Sequence, residues 1–116
     1  MTAFKIVSAA DWAAFQAEDR YAGSAVDRAD GYIHMSTAEQ VADTARKHYA
    51  GRDGLMLLTV DLEALGPALQ WEPSRGGDLF PHLYADLPLS AVTASQGFAV
   101  DADGAFRFEG EAPSWA

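Results

Sequence analysis

The sequence has no cysteine. That excludes disulfides, a thiolate nucleophile and zinc sites built on thiolates, so the fold must stand on its core. Basic residues are also scarce: eight Lys and Arg face seventeen Asp and Glu, for a formal charge of -9. Such a field repels phosphate backbones and anionic head groups, and neither DNA nor a membrane surface is an expected partner. Acidity also serves solubility, so by itself it names no ligand. Long apolar runs are missing; the densest, Leu55 to Val60, falls far short of the ~20 residues that a bilayer span requires. The start, Met1-Thr2-Ala3-Phe4-Lys5, lacks a basic stretch leading into an apolar one, which predicts no signal peptide and a cytoplasmic location. Repeats, low-complexity tracts and Gly, Ser or Pro linkers are absent as well, so residues 1–116 are expected to form a single domain.

What is present is an ordinary globular composition, 49% hydrophobic and 22% charged. Phe4 to Val7 reads as a strand, and Ser8 with Asp11 three residues on reads as the cap of a helix that carries Trp12 and Phe15 and fades near Gly23. Asp30-Gly31 is a turn signal. Tyr32 to Ser36 then alternates, setting Ile33 and Met35 on one face and Tyr32, His34 and Ser36 on the other. Thr37 and Gln40 fit a capping box for a second helix with Ala38, Val41, Ala42, Ala45 and Tyr49 at helical spacing, closed by Arg46, Lys47 and Gly51. Leu55 to Val60 is a buried central strand, Asp61 to Gly66 one helical turn, and Leu69 to Glu72 a strand. Leu79 to Ala85 alternates Phe80, His82 and Tyr84 against Leu79, Leu83 and Ala85, with Pro81 implying an edge or a bulge. Val92 to Val100 and Ala105 to Glu109 flank Asp101-Ala102-Asp103-Gly104 as a hairpin, and Glu111 to Ala116 is expected to fray.

Three segments carry residues with chemistry. His34 on a strand beside Ser36 can orient a ligand or move a proton near neutral pH; the structural alternative is an imidazole packed beneath a helix cap. In Trp71-Glu72-Pro73-Ser74-Arg75-Gly76-Gly77, a carboxylate, a hydroxyl and a guanidinium lie close together beside two permissive glycines. Arg75 would fork onto a phosphate or carboxylate, or else pair with Glu72 to hold a turn. His82 and Tyr84, two residues apart, present an imidazole and a phenol to one side, as a shared ligand or simple core packing would require. His48, at the end of the second helix, suits the helix dipole and is given no site role. The histidines at 34, 48 and 82 have no compact HxxxH or HxH spacing, so no metal site is expected. Gly23-Ser24-Ala25 lacks the form of a nucleophile elbow.

Four blocks in this order resemble the bacterial family known as domain of unknown function 952. They are Ala22-Gly23-Ser24-Ala25-Val26-Asp27, Asp30-Gly31-Tyr32-Ile33-His34-Met35-Ser36-Thr37-Ala38-Glu39-Gln40, Trp71-Glu72-Pro73-Ser74-Arg75-Gly76-Gly77 and Phe80-Pro81-His82-Leu83-Tyr84. The resemblance spans about Phe4 to Val92 and implies an ADP-ribosyltransferase-like α+β fold: a small curved, split mixed or antiparallel sheet with two main helices. It implies a cleft for NAD or another ADP-ribose-containing ligand, with His34-Met35-Ser36 in the place of the His, small residue, Ser or Thr motif that contacts the ribose. Met35 is larger than that motif's middle residue, and the late glutamate of such enzymes has no secure counterpart; Glu72 and Tyr84 are the candidates for the carboxylate and the stacking tyrosine.

Together these readings predict a binder of a small nucleotide-like molecule, with ADP-ribosyl or RNA 2′-phosphate transferase-like activity as its enzymatic form. His34, Glu72 and His82 are the candidate catalytic groups, and Tyr32, Ser36, Ser74, Arg75 and Tyr84 the candidate ligand contacts. Two other classes stay open: a non-enzymatic interaction module with structural histidines, and a small hydrolase using His34 and His82 as an acid and base pair.

Overall fold

The computed structural model describes residues 1–116 with the exception of the Arg75 side chain. Strand β1 (Thr2–Ser8) runs into helix α1 (Ala9–Glu18) through Ser8, whose hydroxyl accepts the Asp11 N–H at 3.0 Å. The helix stops well before Gly23: Asp19 caps it at φ 63, a left-handed conformation that Asp tolerates, and β2 (Arg20–Tyr21) follows. Helix α2 (Ala25–Asp30) has no counterpart in the sequence reading, because six residues are too few to display a helical period. Its signal is a capping box. Ser24 Oγ accepts from Asp27 N at 3.1 Å while the Asp27 carboxylate accepts from Ser24 N at 2.9 Å. Gly31 ends it at φ 88.

Strand β3 is only Ile33–His34, after which the chain swings away to bridge β1 at Ser36. Helix α3 (Val41–Tyr49) begins later than Thr37, although Gln40 Oε1 does reach back to accept the Thr37 N–H at 3.0 Å. The long strand β4 (Arg52–Asp61) leads to a 3-10 segment, Leu62–Ala68, capped by Asp61 as expected. Then come β5 (Leu69–Pro73), β6 (Leu79–Leu83), β7 (Leu87–Pro88), β8 (Val92–Val100) and β9 (Phe106–Phe108).

The architecture is α+β with split antiparallel sheets: β1-β4-β8-β9, β3-β6-β5 and the small pair β2-β7. Alternation along β1 and β4 builds two cores on opposite faces of the larger sheet. Ala3, Val7, Leu58 and Val60 meet Phe15 of α1 and Ile33 and Leu83 of the smaller sheet on one face. Ile6, Leu55, Leu57, Phe98 and Val100 meet Val41 and Ala45 of α3 on the other. Each such large side chain, once fully buried, contributes roughly 1.5–3 kcal/mol. Among the described residues no helix is long and apolar enough to cross a membrane.

Two expectations are corrected here. Pro81 does not mark an edge, since β6 is the central strand of its sheet. Within a strand, a residue's N–H and C=O point to the same side. The Pro81 carbonyl accepts from Met35 N at 3.1 Å, so the donor it lacks faces β3 just where β3 has left the ladder. The C-terminal segment does not fray either. Trp115 packs edge-on against Phe4, Phe106 and Phe108, and Gln96 Nε2 donates to the Glu109 and Glu111 carbonyls at 2.9 and 2.6 Å. Trp115, partly buried, anchors the segment together with the two Gln96 bonds.

Candidate functional site

Antiparallel register brings the two strand histidines together. His34 and His82 are directly opposed in the β3–β6 ladder, so their side chains leave the same face, and the rings lie 5.6 Å apart. Tyr32 stacks on His82 at 4.0 Å between centroids and lies 4.6 Å from His34 and 5.2 Å from Tyr84. Each imidazole is held by a carboxylate. Glu72 Oε1 accepts from His82 Nδ1 at 2.8 Å and from the Tyr84 hydroxyl at 2.7 Å. Asp27 Oδ1 accepts from His34 Nδ1 at 2.6 Å, while His34 Nε2 lies 2.8 Å from Asp30 Oδ2.

Asp27 is the hub of this arrangement and is only 2% exposed. Beyond His34 Nδ1 it accepts from the His34 and Ser24 backbone N–H groups, and from Lys5 Nζ at 2.9 Å to one oxygen and 3.1 Å to the other. Burial pushes its carboxyl upward, but the His34 hydrogen bond, the Lys5 ammonium and the Ser24 N–H outweigh this and hold it well below the usual carboxylate range. Burial draws Lys5 below the usual lysine range, against the opposing pull of Asp27. Hydrogen bonds from Tyr84 and His82 lower the Glu72 carboxyl, and the same Glu72 contact pushes the Tyr84 phenol up to about 12. Glu72 is therefore an anion, and Tyr84 a donor, throughout the physiological range.

Gly23 is built into this hub. It sits at φ +103, and a Cβ there would lie 2.7 Å from the Asp27 Cβ. Gly23→Ala is expected to cost about 1–3 kcal/mol in strain alone, read as a lower urea midpoint; an unchanged midpoint would show that the loop can shift freely.

Beside the histidines opens a cleft of about 600 Å³ between β1, α2 and α3. Its charge is opposite to that of the whole chain. Among the described residues its lining includes all three histidines, three of the eight Lys and Arg (Lys5, Lys47 and Arg52), and only two of the seventeen Asp and Glu (Asp27 and Asp30). Ser36 and Thr44 also line it, with their hydroxyl oxygens 3.0 Å apart. Among the described residues no cluster of His, Asp and Glu has metal-holding geometry.

Of the residues singled out from sequence, His34, Ser36, Ser74 and His82 line the cleft. Tyr32, Glu72 and Tyr84 do not; they support the two imidazoles. The Arg75 side chain lies outside the described residues, and with it the choice between a phosphate fork and a pair with Glu72. His48, set aside in the sequence, also lines the cleft. Asp27, Asp30, Lys5, Lys47 and Arg52 were missed. Asp27 had a local signal in its three-residue spacing from Ser24, and Asp30 lies four residues before His34; Lys5, Lys47 and Arg52 converge through tertiary folding.

The family described as "Protein of unknown function (DUF952)" matches over residues 6–95. No curated protein matches the chain. The crystal structure of protein CC0527 from Caulobacter crescentus is 48% identical over 92% of this chain and 94% of that one, with a TM-score of 0.87. The solution NMR structure of CC0527 gives 50% identity over 89% of each chain and a TM-score of 0.78. The four sequence blocks, the match across most of the chain and the shared fold agree: the chain belongs to the DUF952 family.

Proposed function

We propose that the cleft binds a small anionic ligand of the nucleotide or ADP-ribose type. The observation that carries this reading is the charge segregation: a chain of formal charge -9 gathers three cations and every histidine around one concavity. Such focusing raises the local concentration of an anion in spite of the overall field. Aromatic and imidazole rings beside hydroxyls suit a ring-bearing ligand, since pockets of this kind combine apolar surface with a few placed polar groups. Glu72 holds His82 through Nδ1 and leaves Nε2 as the nitrogen through which a proton would be exchanged. ADP-ribosyl or RNA 2′-phosphate transfer, the chemistry implied by the resemblance to ADP-ribosyltransferase-like enzymes, is the activity to assay first.

Thermal denaturation with NAD, ADP-ribose and a 2′-phosphorylated RNA end tests the reading. Ligand at ten times its Kd adds about 1.4 kcal/mol, a rise in Tm of roughly 5–10 °C for a domain of this size. No rise with any of the three at millimolar concentration would remove the reading.

A second reading, a non-enzymatic module with structural histidines, is favoured by the saturated bonding of Asp27. It predicts that neither wild type nor His34→Ala responds to any of the three ligands, and that His34→Ala lowers stability by about 1–3 kcal/mol. The binder predicts loss of the response at a stability still sufficient to measure it.

A further inference from the structure

We infer that His34 Nε2 is the atom that receives an anionic oxygen of the ligand, and that in the free protein the Asp30 carboxylate holds this place. The inference rests on the anion-binding reading above and adds to it an atom and a chemical class: a phosphate oxygen in place of the ribose hydroxyl that the sequence resemblance implies for His34.

The two nitrogens of His34 are in unlike positions. Nδ1 faces inward, onto a carboxylate that Lys5 and the Ser24 N–H also hold. It is committed to the fold. Nε2 is the outer nitrogen of a side chain that is 35% exposed, and Asp30 Oδ2 lies 2.8 Å from it. Asp30 is the last residue of α2 and 48% exposed, and among the described residues its one ion-pair partner is His34. Its side chain can rotate away from the cleft without disturbing the hub. Both residues line the cleft together with Lys5, Lys47 and Arg52.

Asp30 is thus the carboxylate of the concavity that no Lys or Arg neutralises among the described residues, bonded where a ligand's charge would sit. With Lys5 and Asp27 neutralising each other, an entering phosphate meets two cations that attract it, Lys47 and Arg52, and one anion that repels it, Asp30, which also occupies an imidazole nitrogen. A neutral hydroxyl is a poor substitute for that carboxylate, because bonds to ionised acceptors are about twice as strong as neutral ones. With a proton on each ring nitrogen, Nε2–H donates, and an anionic oxygen is the acceptor that replaces Asp30 without loss.

The test is calorimetric titration of the full chain with inorganic phosphate, ADP-ribose and adenosine, for the wild type, Asp30→Asn, His34→Gln and the double variant. Asp30→Asn keeps the side-chain shape and leaves Asp27 intact. It is expected to tighten phosphate and ADP-ribose about tenfold, to leave adenosine unchanged, and to lose its gain in the His34→Gln background. Affinities equal to or weaker than wild type, a gain shared by adenosine, or a gain that survives His34→Gln would each overturn the assignment. Should His34→Gln unfold, the imidazole nitrogen resonances decide: phosphate must move Nε2 of His34 in Asp30→Asn, and a signal that stays in place overturns the inference. Wild-type binding without a gain in Asp30→Asn defeats this inference alone. Failure of both proteins to take any anionic probe defeats the parent reading along with it.

Discussion

Asp27→Asn is expected to lose about 3–5 kcal/mol of folding stability, the cost of breaking a buried pair from one side. The side chain keeps its size but no longer neutralises Lys5, which is only 7% exposed and whose ammonium depends on Asp27 for its charge partner. The amide also turns a donor toward groups that are donors themselves: Lys5 Nζ, His34 Nδ1 and the two backbone N–H groups. Urea denaturation measures the loss, and a change below about 1 kcal/mol would mean that water reaches the pair. The same hub sets an acid limit. Asp27 titrates lower in the folded protein than in the unfolded chain, so the unfolded chain takes up this proton first as the pH drops. The stability contributed by the carboxylate is complete above about pH 4 and fades as the pH falls below it. The gap between wild type and Asp27→Asn should therefore stay constant from neutral pH to about pH 4 and narrow progressively below it. Parallel pH profiles would assign the acid sensitivity to other carboxylates.

The second large effect concerns the cleft. Reversing two charges, Lys47→Glu with Arg52→Glu, is expected to weaken ADP-ribose by roughly 100-fold at low salt, about tenfold for each reversal. The loss should shrink as salt is raised, because exposed charges are screened beyond a Debye length. Both side chains are exposed, at the end of α3 and the start of β4, and the fold should survive with a cost near ~1 kcal/mol from the lost stacking of Arg52 on the Tyr49 ring at 5.1 Å. Calorimetric titration reads the affinity and thermal melting confirms the fold. An affinity that ignores both reversals would remove the anion from this end of the cleft.

The sequence showed what is local. The Ser8 cap, the face of α3, the apolar β4 and the Asp101–Gly104 turn each follow from spacing or turn chemistry within a dozen residues, and each is present. Alternation put Tyr32 and His34 on one face, and His82 and Tyr84 on another, without revealing that the two faces are the same one. That identity depends on the β3–β6 register, which opposes residues 48 positions apart. Helix α2 escaped because its six residues carry a cap but no period. Lys5 read as a strand residue of no note, since nothing around it in the chain says that a carboxylate 22 positions away arrives to neutralise it. The docked tail was missed for a related reason: Trp115 sits among polar and small residues, and its partners Phe4, Phe106 and Phe108 are supplied by strands β1 and β9.

The contact between Phe4 and Ser36 has a bearing on solubility. Strand β1 ends the larger sheet, and its outer side is a row of backbone groups open to any extended chain that comes near. Two bonds, Phe4 N to the Ser36 carbonyl at 2.7 Å and Ser36 N to the Phe4 carbonyl at 3.0 Å, fill the middle of that row with the molecule's own backbone. The segment that carries His34 into the cleft thereby also shields the border most prone to intermolecular pairing. Any change that frees residues 33–36 would loosen the ligand wall and uncover a template for aggregation in the same event.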